Sequence, residues 1–210
     1  MTGTPQHHHN PPTRRGTRRA LLCDSAITVL ARDGGRGLTH RAVDREANVP
    51  EGTTKNYFPT RESLLEATAA RMADQHRVAV EQLHQSTPDS VSATQVSWLY
   101  PALLRRALTD PTQILAMFEL YLEAVRRPRV RQALGRMAVA NANSAVALHH
   151  TVGLPTTPRE AGLLDAYFLG LAISLLALPD QALHTIGMTN PDELGLALFT
   201  AATTPPQDPH

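Results

Sequence analysis

Between residues 39 and 61 the chain gathers side chains suited to one kind of chemistry, the recognition of a polyanion. Thr53, Thr54, Lys55, Asn56 and Tyr57 set hydroxyls, an amide and one cation within two helical turns. Such groups bond phosphate oxygens and base edges, and few other targets use this mixture. The surrounding charge agrees. Residues 1–61 carry ten Lys/Arg against five Asp/Glu, while the remainder carries ten against fourteen. The net charge of +1 therefore hides a basic front and an acidic back. A basic front suits nucleic acid, and a solvated surface has the same composition.

Two short helices must position this segment. Thr39 is a capping residue, and Ala42, Val43 and Ala47 supply a short apolar face. Ala47 is small enough for a second helix to cross closely. Asn48-Val49-Pro50 is a tight connection, and Asn tolerates the left-handed backbone such a turn needs. Helices near 40–47 and 51–57 follow. This is the helix-turn-helix arrangement, whose second helix enters the major groove. Two short helices with a tight turn also occur as plain scaffold.

The rest of the chain reads as helical. Its apolar share is 42% with only 4% aromatic residues, so Ala and Leu dominate, which favours helix over sheet. Proline recurs just behind a capping residue, at Thr87-Pro88, Asp110-Pro111, Thr157-Pro158 and Asn190-Pro191. Gln113, Glu160 and Glu193 stand three residues after their caps, the capping-box spacing. Helices are expected near 14–33, 61–85, 88–108, 111–126, 128–150, 158–177 and 191–201. Gly34-Gly35 stops the first, Thr60 caps the second, and Pro101 implies a kink or a late start in the third. No segment alternates with period two. The predicted fold is all-α: an N-terminal three-helix helix-turn-helix domain (13–60) and a C-terminal helical domain (61–202). Tails at 1–12 and 203–210 read as disordered.

Several classes are excluded. Cys23 is the only cysteine and reads as core, so no disulfide framework or cysteine-rich zinc site is expected. The His7–His9 tract reads as tail, and no metal or cofactor is expected. His149 and His150 are consecutive on a helix and point different ways. The catalytic motifs of metalloproteases, P-loop and dinucleotide enzymes and serine hydrolases are missing, so an enzyme is not expected. The N-terminus lacks the apolar region of a signal peptide, and Asp165 interrupts the most apolar run, Leu163–Leu178. A soluble, cytoplasmic protein with no membrane partner is expected.

From Ala20 to Leu65 the sequence resembles the DNA-binding domain of the tetracycline-repressor family of bacterial regulators. The matching residues are Ala26 to Gly37 with Leu38-Thr39, Glu46-Ala47-Asn48-Val49, Gly52-Thr53, Tyr57-Phe58 and Arg61-Glu62-Ser63-Leu64-Leu65. LTHRAV, VPEGTT and NYF are similar to an actinobacterial-type group within it. Asn48 replaces the usual turn glycine, and Thr54 and Lys55 stand where Leu and Tyr are common. The base preference of relatives therefore does not carry over. The resemblance implies that Thr39, Arg41, Thr53, Thr54, Lys55, Asn56, Tyr57 and Arg61 face DNA. Arg41 suits a guanine or a phosphate. Thr53 and Tyr57 suit phosphates; Lys55 and Asn56 suit base edges or form a solvated face. Arg61, in the first turn of a helix, opposes the helix dipole, and a phosphate would supply the compensating attraction. Arg14, Arg15, Arg18 and Arg19 suit a backbone-tracking arm or a solvated tail.

The body is less explicit. Residues 158–177 are apolar nearly all round, with Ala166, Gly170 and Ala172 allowing close approach, so burial on more than one side is expected. Leu194, Leu196, Leu198 and Phe199 add a second apolar helix. The resemblance implies a homodimer through helices 158–177 and 191–201; a purely intramolecular core is the alternative. Such a dimer sets its recognition helices roughly 34–36 Å apart on a nearly palindromic double-stranded DNA operator. It also implies an unknown small-molecule effector, with His76, Trp98, Phe118, Glu119, Met137 and Asn141 as candidate lining, and Tyr100, Tyr121 and Glu123 beside them. The implied function is a transcriptional regulator, most commonly a repressor, released from DNA by its ligand. A regulator controlled by a protein partner is the alternative.

Overall fold

The computed structural model describes residues 14–86 and 92–203, and among these all regular structure is helical. The 1–12 tail, the His7–His9 tract, the Thr87-Pro88 start and residues 204–210 lie outside the described residues; Thr203, assigned to the tail, closes the last helix.

Helix α1 (Arg14–Gly37) buries Leu22, Ala26, Val29 and Leu30, a stripe at helical spacing. Cys23 lies on the same side, and burial pushes its thiol up to about 11. The backbone breaks at Gly34, with φ 68° and ψ −179°, at the predicted stop; a further helical turn follows. Helices α2 (His40–Glu46) and α3 (Thr53–Tyr57) form the helix-turn-helix. Thr39 caps α2, its hydroxyl accepting from the Ala42 N–H at 3.1 Å. Asn48 has φ 50°, the left-handed turn its side chain allows.

Helix α4 (Arg61–Ser86) starts where Thr60 and Ser63 exchange hydrogen bonds between side chains and backbone. The single helix expected over 88–108 is two: α5 (Ala93–Ser97), opened by a Ser92–Gln95 capping box, and α6 (Leu99–Thr109). The chain breaks at Trp98, so Pro101 falls in the first turn of α6, where it displaces no helical hydrogen bond. Helices α7 (Thr112–Arg126), α8 (Pro128–Thr151), α9 (Pro158–Ala177) and α11 (Pro191–Thr203) follow the proline punctuation. The short α10 (Asp180–Thr185) carried no sequence signal. The Thr157–Glu160 box forms reciprocally, and Asn190 and Glu193 pair at 2.8 Å. Asp110 instead accepts from the Thr112 N–H, without Gln113.

One apolar core runs from α1 through α4 into α7 and α8, with Leu22, Leu30, Leu38, Phe58, Leu64, Leu65 and Leu120 almost fully enclosed. The helix-turn-helix and the body thus share packing, with α1 against α7 and α4 against α8. A second cluster joins Leu164 of α9 to Leu198, Phe199 and Ala202 of α11. Helix α11 meets α6 closely: a Cβ on Gly195 would lie 2.6 Å from the Pro101 backbone.

Candidate nucleic-acid interface

Helix α3 has five residues, too few to hold itself in water. Asp44, on α2 and 1% exposed, anchors it. One carboxylate oxygen accepts from the Gly52 N–H at 2.8 Å. The other accepts from the Thr54 N–H at 2.7 Å and the Thr54 hydroxyl at 2.5 Å. These bonds satisfy N–H groups at the start of α3 that have no helical partner. Gly52 precedes the helix at φ 89°, a left-handed position suited to glycine. His40 pins the far end, its Nε2 2.7 Å from the Phe58 carbonyl. Both Asp44 and His40 escaped the sequence reading, because nothing in their spacing says that α2 braces α3.

This bracing corrects one expected DNA contact. Thr54 is fully buried, and its hydroxyl is spent on Asp44. A five-residue helix cannot turn every side chain outward, and Thr54 falls on the inner face. Lys55 and Asn56 are exposed, while Thr53 and Tyr57 are half-buried at the edge. The Thr53 hydroxyl donates to the Pro50 carbonyl at 2.6 Å. Arg41 stands well clear, 80% exposed, with only a loose 3.8 Å approach to Glu51. Thr39, Arg41 and Lys55 border an open depression of about 520 Å³ between α2 and α3.

Arg61 is the second correction. Its guanidinium turns inward, donating to the Gly35 carbonyl, to Glu123 Oε1 at 2.7 Å and to the Leu38 carbonyl at 3.4 Å. A carboxylate and carbonyls at the end of α1, not a phosphate, offset the unfavourable helix dipole. Glu123 also accepts from Arg127 at 2.7 Å. Burial opposes its charge, but the Arg127 hydrogen bond and the nearby Arg61 hold its carboxyl below the ordinary range. Beside it, Glu119 accepts from the Gly35 N–H at 2.6 Å. The end of α1 is thereby bolted to α7.

Arg14, Arg15, Arg18 and Arg19 are exposed in the first turns of α1, as part of a helix. Arg15 lies 5.9 Å from the Tyr57 ring centre and Arg19 4.5 Å from that of Phe58. Helix α1 thus brings cations beside α3.

The candidate ligand residues differ in their surroundings. Met137 is 3% exposed within the main core and Glu119 is committed to Gly35, so neither is free to line a ligand site. Helical projection could not separate these faces. His76 and Trp98 are exposed, Phe118 and Asn141 half-buried. Burial nonetheless lowers the His76 pKa, as expected where protein crowds a ring that keeps an open edge. Tyr100 bonds His149 at 3.0 Å and packs on Phe199.

Known proteins share this design. A family model described as tetracyclin repressor-like, C-terminal domain, matches residues 92–202. The nicotine-responsive transcriptional repressor HdnoR of Paenarthrobacter nicotinovorans is 30% identical over 112 residues, 53% of this chain and 56% of HdnoR, so the match spans little more than half of that relative. The transcriptional regulator AlkX of Mycobacterium tuberculosis is 25% identical over 182 residues, 80% of this chain and 81% of AlkX. Among solved structures, the multidrug-binding protein EbrR in complex with ethidium superposes with a TM-score of 0.63 at 25% identity, covering 89% of this chain and 99% of EbrR. SCO1917 from Streptomyces coelicolor gives 0.64 at 26% identity, covering 89% and 98%.

Proposed function

The chain belongs to the tetracycline-repressor family of transcriptional regulators, and on that premise we propose that it is a dimeric repressor which a small organic ligand releases from a nearly palindromic operator. Family members are regulators, not enzymes. The observation that carries the DNA reading is the outward face of α3. Lys55 and Asn56 stand exposed on a helix that Asp44 holds rigidly, with Arg41 beside them. Rigid presentation of an amide and two cations fits base-edge recognition.

The dimer reading rests on α9. It is long and apolar enough to cross a membrane, yet only 17% of its most apolar stretch is buried within one chain. An apolar helix left open calls for a cover, and a second copy supplies one by two-fold symmetry. Gly162 and Gly170 have open space where a Cβ would go. A cytoplasmic location follows from action on DNA. Release by ligand is a population shift in which the bolt at Gly35, Arg61, Glu119 and Glu123 carries movement of the body to α1.

DNA fragments selected by the protein and then sequenced test this reading. A shared near-palindrome with half-sites one helical turn apart is expected; unrelated sequences would sink it. Gly170→Arg, tolerated by the single chain, should give monomers in sedimentation and abolish tight operator binding.

A further inference from the structure

We propose that Asp165, Asn141, Tyr100 and Tyr121 form the anchoring end of an effector site that selects an organic cation bearing N–H donors. This names the ligand class for the repressor reading above and rests on it. The four residues come from α9, α8, α6 and α7, and α9 packs against each of the other three helices. Asp165 interrupts an otherwise apolar stretch of α9, between Leu164 and Ala166. Its carboxyl lies close enough to both phenols to oppose their ionisation. Burial raises that carboxyl to about 6, against a hydrogen bond from Asn141 that lowers it. Yet Asp165 as a residue is exposed to solvent. Crowded by the neighbouring helices yet open to solvent, this carboxyl is not part of a packed core.

Folding alone does not account for this arrangement. Among the described residues no Lys, Arg or His forms an ion pair with Asp165. A crowded carboxylate without a cation is unfavourable, and an apolar side chain there would suit the helix better. Asn141 adds a buried Oδ1 without a hydrogen-bond partner. Tyr121 leaves 42% of its surface open. One ligand type answers all three deficits. A positive charge neutralises Asp165, an N–H satisfies the Asn141 oxygen, and an aromatic face attracts a cation. An anion would meet the carboxylate, and a neutral apolar molecule would leave both acceptors unpaired.

The test uses the DNA-free full-length protein with ethidium and proflavin as cationic probes, and anilinonaphthalene sulfonate as an apolar anion, followed by fluorescence. The wild type is expected to bind the cations more tightly than the anion. Asp165→Asn should weaken cation binding by about tenfold or more, the usual loss for a charge-assisted hydrogen bond, while sparing the anion. Asn141→Leu should give a smaller loss in the same direction, and serves if Asp165→Asn folds poorly. Wild-type affinity for cations in both variants would overturn the proposal, as would a wild type that binds neither cation or prefers the anion. Asp165-dependent cation binding that leaves the operator complex intact would overturn release by this ligand class and keep the site. Release that ignores Asp165 would do the reverse.

Discussion

Asp44 and Asp165 are both carboxylates set among helices, and the two halves of the molecule treat them differently. In the helix-turn-helix, Asp44 is enclosed and receives three hydrogen bonds from the start of α3. In the body, Asp165 is crowded and lacks a cationic partner among the described residues, beside an amide oxygen with no donor. The start of α3 thus finds its partners within a single chain. It presents a rigid surface whose outward side chains alone are free to bind. The body has open valences, both polar ones around Asp165 and apolar ones along α9. Complete parts present; incomplete parts respond, because only an unsatisfied group gains free energy from a new partner.

The largest break in this contrast is expected from Asp44→Ala. Two backbone N–H groups and a hydroxyl would lose their acceptor, costing about 3 kcal/mol in urea denaturation, and α3 would no longer hold its face to DNA in a mobility shift. Retained operator binding would mean that α3 stands without its brace. Gly35→Ala attacks the seam between the halves. The new Cβ would sit 2.8 Å from Glu123 Oε1 and 3.0 Å from Glu119 Oε2, so about 1–3 kcal/mol of stability should be lost. An unchanged melting temperature would show that the seam yields freely.

Lys55→Ala and Asn56→Ala should leave stability untouched. Each should remove about 1–2 kcal/mol of discrimination at one base pair, read by titrating operator variants. A uniform loss across all sequences would reassign the residue to phosphate contact. The smallest effect concerns pH. His149 is fully enclosed between Tyr100 and Thr156, and burial, with the nearby His150, holds its pKa below the ordinary 6.5. The unfolded chain takes up a proton below 6.5 that the folded chain refuses. Stability is therefore complete above that value and falls as pH drops through the window beneath it. The melting temperature should decline from pH 7.5 to 5.5, and His149→Gln should reduce the slope, leaving the share that His76 contributes in the same direction.

Much of the fold was legible in the chain because its signals are local. Thr39, Asn48, Gly34 and the Thr157–Glu160 pair act within one turn of themselves, and each appears where its chemistry puts it. The break ahead of Pro101 was legible for the same reason. Helix α10 was not, since it is short, and the Ser92–Gln95 capping-box spacing, unaccompanied by a proline, was passed over. Within the site, Lys55, Asn56 and Arg41 are exposed on the expected face, while Thr54 and Arg61 turn inward.

The sequence by itself determined the helices, their starts and stops, and the residue types gathered at α3. Those follow from capping, periodicity and turn chemistry, which act between near neighbours. Only the tertiary structure decided which of those residues remain free. Asp44 claims Thr54 across the turn, and Glu123 claims Arg61 from 62 residues away. The choice between a phosphate and a carboxylate for a guanidinium depends on what the packed core brings near it, and no local pattern carries that information.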